Sequence, residues 1–237
     1  MISEKNVPRW LGATFLFVIF VSLASGLLLS SATGTGTISE MLANVSRNIP
    51  LVRISVLLEM LNSTGIIVLA SLLYIVLSRQ DKILALIALG WWLGEALILG
   101  FTSTAVFALI RLGQDFVQVG SPLNSFYQVL GDFLYYGIYK HGYGGIHMWF
   151  YCIGGLVWYS LFYRSRYIPR AISLFGIVAV SLAFIAVVLH FLGLGAPLWI
   201  SIPLLPFELT IAFWLLFRGI KEGPETDLAV HALRSAG

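Results

Sequence analysis

The chain has 237 residues, of which 59% are hydrophobic and only 11% charged, against about 25% charged in soluble domains. A mean hydropathy of +0.92 excludes an ordinary soluble domain, and the 14 Lys and Arg that set a formal charge of +3 include no block suited to nucleic acid. The single cysteine, Cys152, rules out internal disulfides and cysteine metal clusters.

A spanning helix needs about 20 apolar residues. The apolar runs predict six spans, at 10–31, 53–77, 83–110, 143–163, 170–192 and 198–218, with residues 219–237 as a short cytoplasmic tail. The first follows Lys5 and Arg9 and ends near small residues at Ala24–Gly26, as a signal peptide would. Its apolar run continues through Leu29, however, which is long for a signal peptide and predicts an uncleaved first helix. Residues 32–52 then read as a small, polar outer connection.

The second span carries Glu59 and Asn62 one turn apart, and the third carries Glu95 near its middle. Gly90 and Gly94 flank Trp91 and Trp92 there as a small-xxx-small pair that lets a neighbour approach. Residues 112–142 form a second long outer segment. Ser121-Pro122 predicts a helix start, and Phe126, Leu130, Phe133 and Leu134 share one helical face, which suits either a segment packed over the bundle or an amphipathic helix on the outer leaflet. His147 opens the fourth span and His190 closes the fifth. Glu208 lies in the sixth, after Pro203 and Pro206. Inside a helix those prolines would free the carbonyls of Trp199 and Ile202; at a helix start they would not.

Ten of the basic residues fall on the side of Lys5, Arg79, Arg164 and Arg218, and only Arg47, Arg53, Arg111 and Lys140 on the other. The positive-inside rule then places both termini in the cytoplasm of a plasma-membrane protein. The expected fold is an all-α, polytopic, single-domain bundle of six transmembrane helices.

Carboxylates at bilayer depth are costly and mark functional sites by default. Glu59, Asn62, Glu95, Glu208, His147 and His190 all fall between the midplane and the outer surface, and they are the ligand-binding candidates. The sharpest expectation is that the three glutamates and Asn62 meet in one outward-opening cavity. A metal or haem would have to rely on His147, His190 and Glu208, and no HExxH or ExxH spacing supports it. No nucleophile elbow or phosphate loop occurs either. The catalytic residues and cofactor are left open, and the balance leans away from an enzyme.

Four stretches carry a family resemblance: Arg53–Glu59, Leu84–Ala96, Ile168–Gly176, and Pro206–Glu208 continuing to Phe213–Gly219. In their order and spacing they resemble a prokaryotic multi-pass membrane family catalogued as domain of unknown function 4386, over about residues 5–222. The resemblance implies six helices and no assigned activity. Members often carry a basic residue shortly before the third-span glutamate, where this chain has Trp91 and Trp92.

The resulting expectation is an integral membrane protein that binds a small ligand or ion in its polar cavity, or serves as an accessory subunit. Its partners would be the lipid bilayer, a small molecule or ion, and a membrane protein or a second copy. An ion-coupled transporter using the mid-membrane glutamates is the first alternative. A membrane-embedded metal- or haem-dependent enzyme using the outer His and Glu residues is the second.

Overall fold

A computed structural model describes residues 6–122, 125–195 and 197–220. All regular structure among them is helical. In chain order the α-helices are α1 (Val7–Thr33), α2 (Ile38–Arg47), α3 (Ile49–Leu77), α4 (Lys82–Gln118), α5 (Phe126–Asp132), α6 (His147–Ser165), α7 (Arg170–Phe191) and α8 (Leu204–Phe217). Two wide π-helical stretches, Phe133–Lys140 and Gly142–Ile146, join α5 to α6, and a 3₁₀ turn at Leu198–Ser201 precedes α8.

Among the described residues, five segments are long and apolar enough to cross a membrane: α1, α3, α4, α7 and Trp199–Phe217. Large apolar side chains on them, such as Phe20, Leu27, Ile83, Leu97 and Phe217, face outward, as expected where the solvent is lipid. The chain is an integral membrane protein. Helix α6 is 19 residues long, but its Tyr, Trp and Gly content makes it less apolar than these five. Most of its aromatic residues point inward instead, with Trp158, Tyr159 and Phe162 fully buried along with Cys152 and only Tyr163 exposed.

The chain forms two compact units. One takes in α1 as far as Leu16, then Leu69–Gly90, and the chain from Cys152 onward. Gly12 on α1 lets α8 approach it backbone to backbone, since a Cβ there would sit 2.6 Å from the Ala212 carbonyl oxygen. Phe207 of α8 packs edge-on against Tyr159 of α6 at 4.6 Å, and Gly176 of α7 leaves room for the same ring.

The second unit holds Phe17–Val68 and Trp91–Tyr151. Here α4 and the α5–α6 run lie antiparallel, with Trp92 on Tyr151, Gly94 on Phe150, Thr102 on Gly142, and Phe116 on Tyr127. The residue numbers in each pair add to nearly the same value, so the register holds through the π-helical turns. The polar connection expected at 32–52 contains the amphipathic helix α2. Thr37 and Glu40 close a capping box at its start, satisfying two backbone donors that would otherwise lack partners. Its Met41, Leu42 and Val45 join a core with Leu29, Val52, Leu109, Phe116, Tyr135 and Tyr139. Asn44 donates to the Thr33 carbonyl at 3.1 Å, satisfying the end of α1.

Two expected boundaries move, and one expected face divides. Helix α4 runs eight residues past 110. Ser121 has φ of +53° and turns the chain, so α5 starts after Ser125. The shared face of Phe126, Leu130, Phe133 and Leu134 divides, because Leu130 and Leu134 pack on the core while Phe126 and Phe133 are exposed.

Candidate functional site

The polar residues of α3 follow helical spacing. Ser55, Glu59, Asn62 and Ser63 recur every three or four residues and so share one face. Asn62 Nδ2 donates to Glu59 Oε1 at 2.9 Å, and both side chains are almost completely buried. Ser25 Oγ on α1 donates to the Ser55 carbonyl of α3 at 3.0 Å. On the other flank Ser63 Oγ donates to the Ala96 carbonyl of α4 at 2.6 Å. The first half of α3 is thus joined by polar contacts to α1 on one side and to α4 on the other.

Glu95 is buried on α4 beside Ala96. His147 is buried too, at the point where the π-helical turns give way to α6, and its backbone N–H donates to the Gly142 carbonyl. Residues 142–146 include three glycines, and the one at 142 packs against the Thr102 side chain. Wide π turns of this kind are common where a helix is adapted to a site. The contacts of Ser63 with Ala96 and of Gly94 with Phe150 set the relative heights. By these, Glu59, Asn62, Glu95 and His147 fall within about two helical turns, roughly 11 Å, along α4.

The other two candidates belong to the first unit. Glu208 is half-buried on α8 and His190 is exposed at the end of α7. Pro203 caps α8, and the Phe207 N–H donates to its carbonyl at 3.2 Å. The prolines therefore stand at a helix start, and the Trp199 carbonyl accepts from the Ile202 N–H. Among the described residues, no three His, Cys, Asp or Glu side chains gather as a metal site requires. A surface pocket of about 430 Å³ on α2 is lined by Gly36, Glu40, Ala43, Asn44 and Arg47. The Glu40 carboxylate there is already engaged by Thr37.

A family model described as a domain of unknown function, DUF4386, matches residues 2–219. The chain belongs to this family. No curated protein and no solved structure matches it. The DUF4386 match covers all six candidate residues, and its description assigns none of them a role.

In this DUF4386 protein the tryptophans before Glu95 have structural work. Trp92 stacks on Tyr151 at 5.8 Å, and its indole N–H donates to the Tyr151 carbonyl at 3.1 Å. Trp91 meets Phe150 edge-on at 5.3 Å. The small-residue pair acts through one member. A Cβ on Gly94 would lie 2.6 Å from the Phe150 ring, whereas Gly90 has open space. Ser25, Ser55 and Ser63 were absent from the sequence-based set. Ser55 and Ser63 carried a signal in their spacing along α3, Ser25 on α1 carried none, and serines in apolar helices are easily passed over because they are so often bonded to their own backbone.

Proposed function

We propose that this protein is a six-span plasma-membrane protein with both termini in the cytoplasm, and that a polar chamber in its outer half binds a small ligand or ion. The observation that carries the reading is the Asn62–Glu59 hydrogen bond, 2.9 Å long between two buried side chains on a membrane-spanning helix. A carboxyl at this depth costs several kcal/mol without compensation, and among the described residues no Lys or Arg side chain bonds to it. Such a group suits a site that meets a polar or charged guest. Burial of Glu95 and His147 at similar height supports a chamber larger than one pair.

The sixth span is α6. Its aromatic side chains suit a helix packed among others, and its antiparallel course beside the outer part of α4 is the course a returning span takes. The ten-to-four distribution of basic residues supports the orientation.

Two measurements test this. Alkaline phosphatase inserted after Ser121 should be active and the same reporter at the C-terminus inactive; the reverse would overturn the topology. Thermal unfolding of the purified protein against a panel of ions and small polar solutes should reveal at least one that stabilises the parent and not Glu59→Gln. A panel in which nothing stabilises in a Glu59-dependent way would reduce the centre to a contact between helices.

A further inference from the structure

We infer that the exposed side of the segment running from Phe126 to Tyr136 is the surface on which two copies of this chain pair, side by side in the membrane. Three observations carry the inference.

The segment has large apolar side chains on both of its sides. Leu130, Leu134, Tyr135 and Tyr139 pack on the core that includes Leu42 of α2 and Phe116 of α4. On the opposite side Phe126, Val129, Phe133 and Tyr136 are 71, 70, 58 and 44% exposed, with Asp132 at the edge of their stripe. A helix with one solvated side carries polar residues there, whereas one that is apolar on both sides is covered on both.

Lipid does not reach this stripe. Helix α1 has 27 residues, roughly 40 Å, which already exceeds a hydrocarbon core of about 30 Å. Tyr135 lies at its end, with the hydroxyl 3.5 Å from Thr33 Oγ1. At the helical rise, Val129 and Phe126 stand roughly 9 and 13 Å further on. Phe116 meets Tyr127 at 6.2 Å, so α5 lies beside the last turns of α4, where Arg111, Gln114 and Gln118 are exposed. Its other neighbour is α2, reached through Gln128 and Ser39, and that helix exposes Glu40 and Arg47. The surroundings are polar and suit water. The stripe is the exception among them.

The stripe fits itself. Its spacing alternates three and four residues, the seam along which two parallel helices interlock. Two chains inserted in the same sense can share a twofold axis only along the membrane normal, which sets each stripe beside its copy at equal height. The segment runs antiparallel to the spanning helix α4, so the two stripes meet in parallel, as that spacing requires. The four side chains carry no charge, and like meets like without repulsion. They offer roughly 400–500 Å² per chain, so a pair covers close to the 1,000 Å² or so at which specific interfaces begin.

The test uses the full chain. Oxidised in its own membranes, Val129→Cys should form a disulfide-linked dimer about tenfold more than Gln114→Cys, which is exposed at the same height on α4. The parent, whose Cys152 is buried, sets the background. Light scattering should give the purified parent the mass of two chains. Phe133→Glu changes a side chain exposed in the single chain, and should keep the parent's helical circular dichroism while raising the dimer's Kd at least about thirtyfold. A parent with the mass of one chain, or equal cross-linking of the two cysteines, overturns the pairing. A nitroxide on Val129→Cys guards against a misfolded variant and should be shielded from both oxygen and a water-soluble nickel complex. Relaxation by oxygen alone would give the face to lipid, and by nickel to water, and either overturns the inference. So does shielding in a particle that holds one copy and an unlike protein.

Discussion

At the scale of single residues, the centre on α3 depends on matching hydrogen-bond capacity more than on charge. Gln in place of Glu59 keeps an acceptor for the Asn62 amide, so Glu59→Gln should unfold within about 1 kcal/mol of the parent. Glu59→Leu removes the acceptor and leaves a buried amide donor unpaired, and should cost about 1–3 kcal/mol. Equilibrium unfolding in detergent separates the two, and equal loss in both would show that size rather than bonding matters there. Ser63→Ala loses the bond to the Ala96 carbonyl. The loss should be about 0.5–1.5 kcal/mol, the range for polar contacts between membrane helices.

At the scale of elements, glycines of the same helix have unlike roles. Gly90→Ala introduces a methyl group into open space and should be neutral or slightly stabilising, since Ala is the better helix former. Gly94→Ala drives a methyl group into the Phe150 ring and should cost about 1–3 kcal/mol through overpacking. Thermal unfolding of the two variants side by side checks this, and the same sign for both would contradict the packing described. The sequence suggested that this pair admits a neighbour; only the packed structure distinguishes its members. Helix α2 makes a similar point. Its capping box, Thr37 to Glu40, and its apolar residues at 41, 42 and 45 were visible as letters. A ten-residue amphipathic stretch between two spans is simply overshadowed by the apolar runs around it.

At the scale of the whole molecule, helix lengths say where the chain leaves the membrane. Helix α4 has 37 residues, about 55 Å, while the hydrocarbon core is about 30 Å thick. Its later turns, with the exposed ion pair Arg111–Asp115 at 3.1 Å, extend beyond the lipid. Because Cys152 is buried and is the only native cysteine, single-cysteine labelling has a quiet background. Arg111→Cys should react with a membrane-impermeant maleimide on intact cells. Leu97→Cys, on a side chain that is exposed yet apolar, should not. Reaction at Leu97→Cys would place that part of α4 in water.

The amino-acid sequence by itself determined the membrane-spanning, all-helical class and the places where buried carboxyls fall. Both follow from local sums of hydropathy and from the cost of charge in lipid, and neither needs a partner residue to be known. It also held the pattern that puts Ser55, Glu59, Asn62 and Ser63 on one face, because helical periodicity is local too. Only the tertiary structure decided that Ser25 bonds to the Ser55 carbonyl and that Trp92 is held by Tyr151. It alone placed the proline pair at the start of α8, and one glycine of two at a contact. Those outcomes depend on which faces of separate helices meet and at what height. Side chains far apart in the chain settle that through packing and hydrogen bonding, and no stretch of sequence contains both halves of such a contact.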